Sequence, residues 1–483
     1  MKSIRVLSVA SEIFPLIKTG GLADVVGALP IALKAEDIDT CTLVPGYPSV
    51  LNALRVAAPV LERKPFFGGT ARLLRGSHNG LDLFVLDAPH LFARPGNPYL
   101  SPEGLDWPDN GTRFAALARM AANIGLGAVP AFVPDVVHAH DWQAGLAPVH
   151  LRYSREQNPG TVMTVHNLAY QGRFPREMLS EFDLPAEAFT IDGVEYYGGI
   201  SFLKGGLRLA DRITTVSPTY AREIQTDEGG MGLGGLLRER VADLRGILNG
   251  IDTSVWNPGS DPHIAERYDV DHLQNRIANK AALQRRSGLE PKPDAFLLGV
   301  ISRMSWQKGL DLLLDNVPVI ASEGMQLVVL GTGDADLQDA CRAAAHANSG
   351  KIAAFIGYDE SLAHLIQAGA DAIIVPSRFE PCGLTQLCAL RYGAVPVVSG
   401  VGGLEDTVVD TNVIGGESET GFKFSPVTIQ NLAGALRRAH ATFRDKAAWY
   451  RLQQTGMSRD VSWRDRAMRY ADLYREIARR RLA

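Results

Sequence analysis

The chain has 483 residues, too many for a single core, so two or three domains are expected. With 46% hydrophobic and 21% charged residues it has the balance of an ordinary globular protein. A net charge of −4 argues against a broad nucleic-acid footprint, and no apolar run is long enough to span a membrane.

The first element is a buried strand, Ile4 to Ala10, which ends near acidic Glu12. The N-terminus, with Lys2 and Arg5, lacks the apolar core and cleavage site of a signal peptide. Lys18-Thr19-Gly20-Gly21-Leu22-Ala23-Asp24-Val25 follows as a loop that opens a helix. Glycine lets backbone amides approach an anion, a helix start favours negative charge, and Lys18 adds a full positive charge. A tight turn with a surface lysine is the plainer alternative.

Leu83–Asp87 reads as a strand, and residues 113–121 have helical spacing. Asn97-Pro98-Tyr99 reads as a surface turn, with Tyr99 stacking on a base or sugar as the alternative. Asp135 to His140 and Gly160 to His166 are buried strands that end in polar residues, and Arg212 to Ser217 is another. His138, His140, Asp141 and His166 suggest a metal site at first sight, but no compact four-ligand spacing follows. His138 also fits a satisfied strand-end histidine. His166 at a strand mouth could offer its side chain or its carbonyl to a reacting carbon.

Asn249-Gly250-Ile251-Asp252 marks a crossing between domains. The alternation then restarts, with a strand over residues 296–303 followed by Trp306-Gln307-Lys308-Gly309. Arg303 and Lys308 suit the developing charge on a leaving diphosphate, or they are solvated surface charges. Strands over 327–331, 352–357, 370–376 and 395–398 follow, with a helix over 337–345. Gly331-Thr332-Gly333-Asp334 fits a simple turn equally well.

The most specific segment runs from Val375 through Glu380, Cys382, Gly383, Leu384 and Thr385 to Gln386. A carboxylate beside an anion-binding helix start suits a ligand that carries hydroxyls, as a sugar does, as well as phosphate. Gly402-Gly403 offers another close-approach turn. Residues 463–480 read as an amphipathic surface helix, with Met468, Tyr470, Leu473, Tyr474 and Ile477 on its apolar side. Its basic end, Arg475 to Arg481, reads as a solvated helix C-terminus.

Continuous apolar strands interleaved with helices predict an α/β protein of two doubly wound, Rossmann-like domains with a ligand cleft between them. The scattered cysteines, Cys41, Cys341, Cys382 and Cys388, form neither a disulfide framework nor a zinc pattern and suit a reducing, cytoplasmic setting.

Taken in order, the Lys18–Val25 block, His138–Trp142, His166–Gly172, Asn249–Asp252, Arg303 with Lys308, and Glu380–Gln386 resemble the bacterial glycogen synthase family, the branch shared with plant starch synthases. The resemblance runs over essentially the whole chain. It implies a GT-B fold, with an acceptor-side domain over 1–245, a donor-side domain over 246–459, and a helix over 460–483 packing back on the first. It implies retaining transfer of glucose from ADP-glucose to the non-reducing end of an α-1,4-glucan such as glycogen, with ADP released and no cofactor or divalent metal. No nucleic-acid or membrane partner is implied.

Carried onto this chain, the family places Lys18, Gly20, Gly21 and Asp24 in the loop near donor diphosphate and acceptor. Asp141 and the His166 carbonyl lie on the sugar side, and Tyr99 packs near nucleoside or sugar. Arg303 and Lys308 hold the diphosphate, and Glu380 orients the donor glucose. Leu384 and Thr385 touch phosphate, and Asn249, Cys382 and Gly383 complete the binding set. Two departures stand out. Cys388 occupies the place where many GT-B relatives carry a second glutamate, and Val401 stands where many family members have Thr.

Retention would ordinarily call for a carboxylate nucleophile. None is evident, so the expected course is front-face transfer, in which the leaving diphosphate helps deprotonate the acceptor hydroxyl. A nucleotide-sugar epimerase on the same fold would need flanking acid and base carboxylates that do not appear. A PLP-dependent glucan phosphorylase would be much longer. A non-catalytic glucan binder would have no use for two phosphate loops plus Glu380.

Overall fold

The computed structural model describes residues 3–154, 158–412 and 418–482. Lys2 and the side chains of Arg480 and Arg481 fall outside these described residues. The chain forms two compact units, Met1–Asn249 with Trp463–Ala483, and Gly250–Ser462. The first division falls after Asn249 rather than after 245. The edge strand Leu244–Gly246 still pairs with the first sheet, and the Ile247 amide donates to Thr215 at 2.8 Å.

In chain order the strands of the first unit are β1 (Ile4–Val9), β2 (Ile38–Pro45), β3 (Arg55–Phe66), β4 (Gly69–His78), β5 (Leu81–Asp87), β6 (Val136–His140), β7 (Gly160–Val165), β8 (Arg173–Phe174), β9 (Glu195–Tyr196), β10 (Gly199–Ser201), β11 (Arg212–Thr215) and β12 (Leu244–Gly246). The main sheet runs β12-β11-β7-β6-β1-β2-β5-β4-β3. From β12 to β5 neighbouring strands pair in parallel, while β3, β4 and β5 pair antiparallel. β3, β4 and the small sheet β8-β10-β9 are not foreseen from the sequence, because polar residues interrupt any continuous apolar run in them.

Alternate residues of β1 enter different cores. Leu7 and Val9 join one with Leu43, Phe84 and Phe114, and Val6 joins the other with Val136 and Val162. The second core is closed by the C-terminal helix Arg464–Leu482 through Tyr470, Tyr474 and Ile477. This stripe follows helical spacing, and Met468 falls off it. Contrary to expectation, Met468 is 41% exposed.

The second unit holds β13 (Leu297–Ile301), β14 (Gln326–Gly331), β15 (Ile352–Ile356), β16 (Ala372–Val375), β17 (Val395–Ser399) and β18 (Phe422–Phe424). Their order is β15-β14-β13-β16-β17-β18, all parallel. Leu298 and Val300 face one core, and Leu297 and Val328 face the other. In each unit the strand order reverses at one place, between β1 and β6 and between β13 and β16. Loops leaving the carboxyl ends of such a pair diverge to opposite faces and open a crevice.

Candidate functional site

The crevice in the second unit collects the residues singled out after β13 and β16. Lys308 Nζ donates to Glu380 Oε2 at 2.5 Å, and the Ser377 hydroxyl donates to the same oxygen at 2.8 Å. Both charged side chains are largely buried. Gly309 makes this approach possible. Its φ is +66°, and a Cβ there would lie 2.1 Å from the Pro376 carbonyl oxygen.

Arg378, which sequence reasoning passed over, ties the two loops together. Its amide donates to the Gln307 carbonyl at 2.8 Å, and its guanidinium reaches the Trp306 carbonyl at 2.7 Å. The same guanidinium holds both Asp311 oxygens, at 2.7 and 2.5 Å. That fork keeps the Asp311 carboxyl below its ordinary range. The Gln307 amide returns the link by donating to the Phe379 carbonyl.

Arg303 lies just beyond β13 and is exposed. Leu384 sits at the N-cap of the helix Thr385–Tyr392, and the Thr385 hydroxyl donates to the Ile301 carbonyl at 3.4 Å. Gly383 has a φ of +74°, and Cys382 is buried beside it. The Glu380 carbonyl accepts the Gly403 amide at 3.0 Å, so the Gly402-Gly403 turn is part of the same assembly. Gly331-Thr332-Gly333-Asp334 is a turn packed on Met304, whose carbonyl accepts the Asp334 amide at 2.8 Å.

In the first unit the Lys18 loop differs from expectation. The amides of Thr19 and Gly20, which the sequence offers to an external anion, donate instead to the buried carboxylate of Glu12. The Thr19 hydroxyl and the Tyr99 hydroxyl donate to it as well. Glu12 is only 3% exposed. The protein therefore supplies its own acceptor for this nest, from a residue just beyond β1 and ahead of the loop. A carboxylate immediately after a buried strand was the signal that could have revealed it.

Lys18 Nζ pairs with Asp24 at 2.9 Å, which joins the loop to the first turn of the helix Gly21–Leu33. Tyr99 is more than a surface turn. Asn97 Oδ1 accepts its amide at 2.8 Å as in a turn, but the ring turns inward and its hydroxyl meets Ser11 and Glu12. Burial, together with the Glu12 charge, pushes the Tyr99 hydroxyl well above its ordinary range.

Asp141 follows β6 with a φ of +56°. Its Oδ1 accepts the His166 amide at 2.7 Å and the Asn167 amide at 3.4 Å. Burial outweighs these bonds and pushes its carboxyl from 3.8 up to about 7. His166 and His140 share a hydrogen bond at 3.0 Å, and His140 reaches Ser8 at 3.2 Å. His138 meets Tyr474 of the C-terminal helix at 2.7 Å and the Thr164 hydroxyl at 2.5 Å. Burial pushes His138 and His166 down to about 3, so these rings are neutral near pH 7.

Among the described residues no group of three or more His, Cys, Asp or Glu is arranged to hold a metal ion. Asn249 is buried, and its Oδ1 meets no hydrogen-bond partner among the described residues.

The comparisons agree with this geometry. Residues 5–239 match the family described as starch synthase catalytic domain, and residues 283–445 match glycosyl transferases group 1. The chain is 64% identical over 483 residues to glycogen synthase 2 of Bradyrhizobium diazoefficiens, covering 100% of both chains. It is 63% identical to the glycogen synthase of Rhodopseudomonas palustris strain BisA53, over 99% of this chain and 98% of that one. The solved catalytic domain of starch synthase IV from Arabidopsis thaliana, bound to ADP and acarbose, superposes with a TM-score of 0.91 at 31% identity. That match covers 99% of this chain and 100% of the other. Sucrose-phosphate synthase from Thermosynechococcus elongatus shares the fold alone, with a TM-score of 0.60 at 17% identity over 98% of each chain. The two Rossmann-like units are those of a GT-B glycosyltransferase, and identity at this level over the full length places the chain in the glycogen synthase family.

Proposed function

We propose that this enzyme transfers glucose from ADP-glucose to the non-reducing end of an α-1,4-glucan, with retention of configuration and without a divalent metal. The observation that carries the reading is the meeting of Lys308 and Glu380 between the ends of β13 and β16. A cation there neutralises a diphosphate, and the adjoining carboxylate accepts sugar hydroxyls. Arg303 and Lys308 supply the positive charge that a metal gives other enzymes. Leu384 and Thr385 present a helix start to phosphate. Asp141, His166 and the Lys18 loop serve the acceptor side, with Asn249 completing the binding set.

The reaction runs on the front face. The bond from the anomeric carbon to the diphosphate oxygen lengthens, and that oxygen takes the proton of the acceptor 4-hydroxyl. The acceptor oxygen then closes on the same face, and the His166 carbonyl stabilises the cationic carbon from the other side. The scattered, buried cysteines suit a cytoplasmic enzyme. No described helix is long and apolar enough to cross a membrane.

The test is transfer to glycogen from ADP-glucose and UDP-glucose in parallel, with EDTA present. Strong ADP-glucose turnover in EDTA supports both the donor and the metal-free reaction. Activity from UDP-glucose alone moves the enzyme to another donor branch. Loss of activity in EDTA, restored by a divalent cation, overturns the metal-free part.

A further inference from the structure

One turn in the first unit is built against local preference. Tyr196 pairs with Gly199, so Tyr197 and Gly198 form a two-residue hairpin loop. Their φ values are +50° and +79°. Such a loop favours Asn-Gly, because a bulky L-residue with positive φ crowds its own backbone. Here the strained position carries a tyrosine that is 76% exposed. Glu195 seals the turn by accepting the Gly198 amide at 2.8 Å, which pins the backbone that carries the ring.

The surroundings are equally fixed. The Tyr196 ring lies edge-on to Tyr197 at 4.7 Å, and the Arg173 guanidinium lies 5.3 Å from the centre of the Tyr196 ring. A second tight turn, Met231 and Gly232, abuts them, and its Met231 carbonyl accepts from Gln171 Nε2 at 3.0 Å. Gly232 has no room for a side chain, since a Cβ would lie 2.3 Å from the Tyr196 hydroxyl oxygen. The hairpin also continues the loop that follows β7: β10 pairs with β8, and the Phe202 amide donates to the Gly172 carbonyl. An exposed tyrosine on a tight turn, its ring set against the buried Tyr196, offers a flat apolar face with a hydroxyl at its rim, at little entropic cost. Strain kept at such a place points to a ligand.

We propose that the exposed ring of Tyr197, backed by the buried ring of Tyr196, is a glucan-stacking platform. It takes the apolar faces of glucose rings several residues back from the reacting end of a long acceptor. This rests on the glucan-elongating reading above. A short acceptor does not reach the platform, so it affects glycogen and leaves maltotriose untouched.

The experiment compares Tyr197→Asn and Tyr197→Phe with the native enzyme. It measures glycogen co-sedimentation, transfer kinetics with glycogen and with maltotriose, and thermal midpoint. Tyr197→Asn is expected to weaken glycogen binding roughly three- to tenfold, the worth of one aromatic contact. It should raise the glycogen KM in step, leave maltotriose kinetics unchanged, and hold or raise the thermal midpoint. Tyr197→Phe should bind glycogen as the native enzyme does. Native glycogen affinity in Tyr197→Asn, or a parallel loss with maltotriose, overturns the platform. Native enzyme that binds glycogen through Tyr197 but transfers no glucose overturns the proposed reaction and not the platform. Native enzyme that neither binds nor transfers overturns both.

Discussion

Lys308 Nζ and Glu380 Oε2 lie 2.5 Å apart although 72 residues separate them in sequence. The pair stands between adjacent parallel strands with most of its surface out of water. Each charge therefore depends on the other. Lys308→Ala should lower turnover by about 10²–10³ through loss of a phosphate-stabilising donor. It should also cost about 3–5 kcal/mol, because Glu380 is left buried and unpaired. The double variant Lys308→Met with Glu380→Gln should recover the thermal midpoint and not the turnover. Arg303→Ala, at an exposed position, should show the turnover loss without the stability loss. Near-normal turnover in both Lys308→Ala and Arg303→Ala would remove their assigned role.

Arg378 acts on the reaction only through the loops it joins. Arg378→Lys keeps the charge and loses the fork to Asp311. Misplacing catalytic groups by about 1 Å can cost about 10²-fold, so kcat should fall by 10- to 100-fold. ADP affinity, measured by calorimetry, should fall much less. Asp311→Asn keeps part of the bonding and should fall between. A pure loss of ADP affinity with native kcat would contradict the brace.

Asp141 sets activity against stability. Its folded value of about 7 lies above the ordinary 3.8. Between those values the folded state binds the extra proton, so stability falls as pH rises from about 4 to about 7. Asp141→Asn keeps an acceptor for the His166 amide and removes that charge. At pH 8 it should be more stable than the native enzyme, by on the order of 4 kcal/mol at most. At pH 4 the two should match, and transfer should drop sharply at either pH. Equal thermal midpoints at pH 8 would show that the carboxylate carries no such burden.

His138, His140 and His166 titrate in the opposite sense, each pushed down by burial. His138 and His166 have folded values near 3, below the ordinary 6.5. The unfolded state then binds more protons, so stability is lost as pH falls from about 6.5 toward 3. Hydrogen exchange at pH 4.5 should show β6 and β7 losing protection before the strands of the second unit. Equal loss in both units would count against this.

Glu12 accepts from Tyr99, from the Thr19 hydroxyl and from two loop amides. Glu12→Gln turns an amide against one of these donors and should cost roughly 2–3 kcal/mol. Tyr99→Phe removes one donor of several and should cost about 1 kcal/mol. Both should raise the KM for acceptor, and calorimetric melting gives the stability change.

Much of this protein was legible along the chain. Apolar runs such as Val136 to His140 and Leu297 to Ile301 announce parallel strands, because a strand covered on both faces must be apolar throughout. Lys18, Asp141, Arg303 and Glu380 stand out because polar residues beyond the ends of such strands are the ones open to a ligand. What the order of residues could not reveal is which polar group meets which. Glu12 filling the Lys18 loop, Arg378 gripping Asp311, and Tyr474 reaching His138 across 336 residues each depend on distances set by packing. The inward turn of Tyr99 and the outward hold of Tyr197 are of the same kind. A local pattern fixes a residue's chemistry and the end of its strand. Its partner is chosen only when the sheet has brought remote loops within about 3 Å and excluded the water that would otherwise compete.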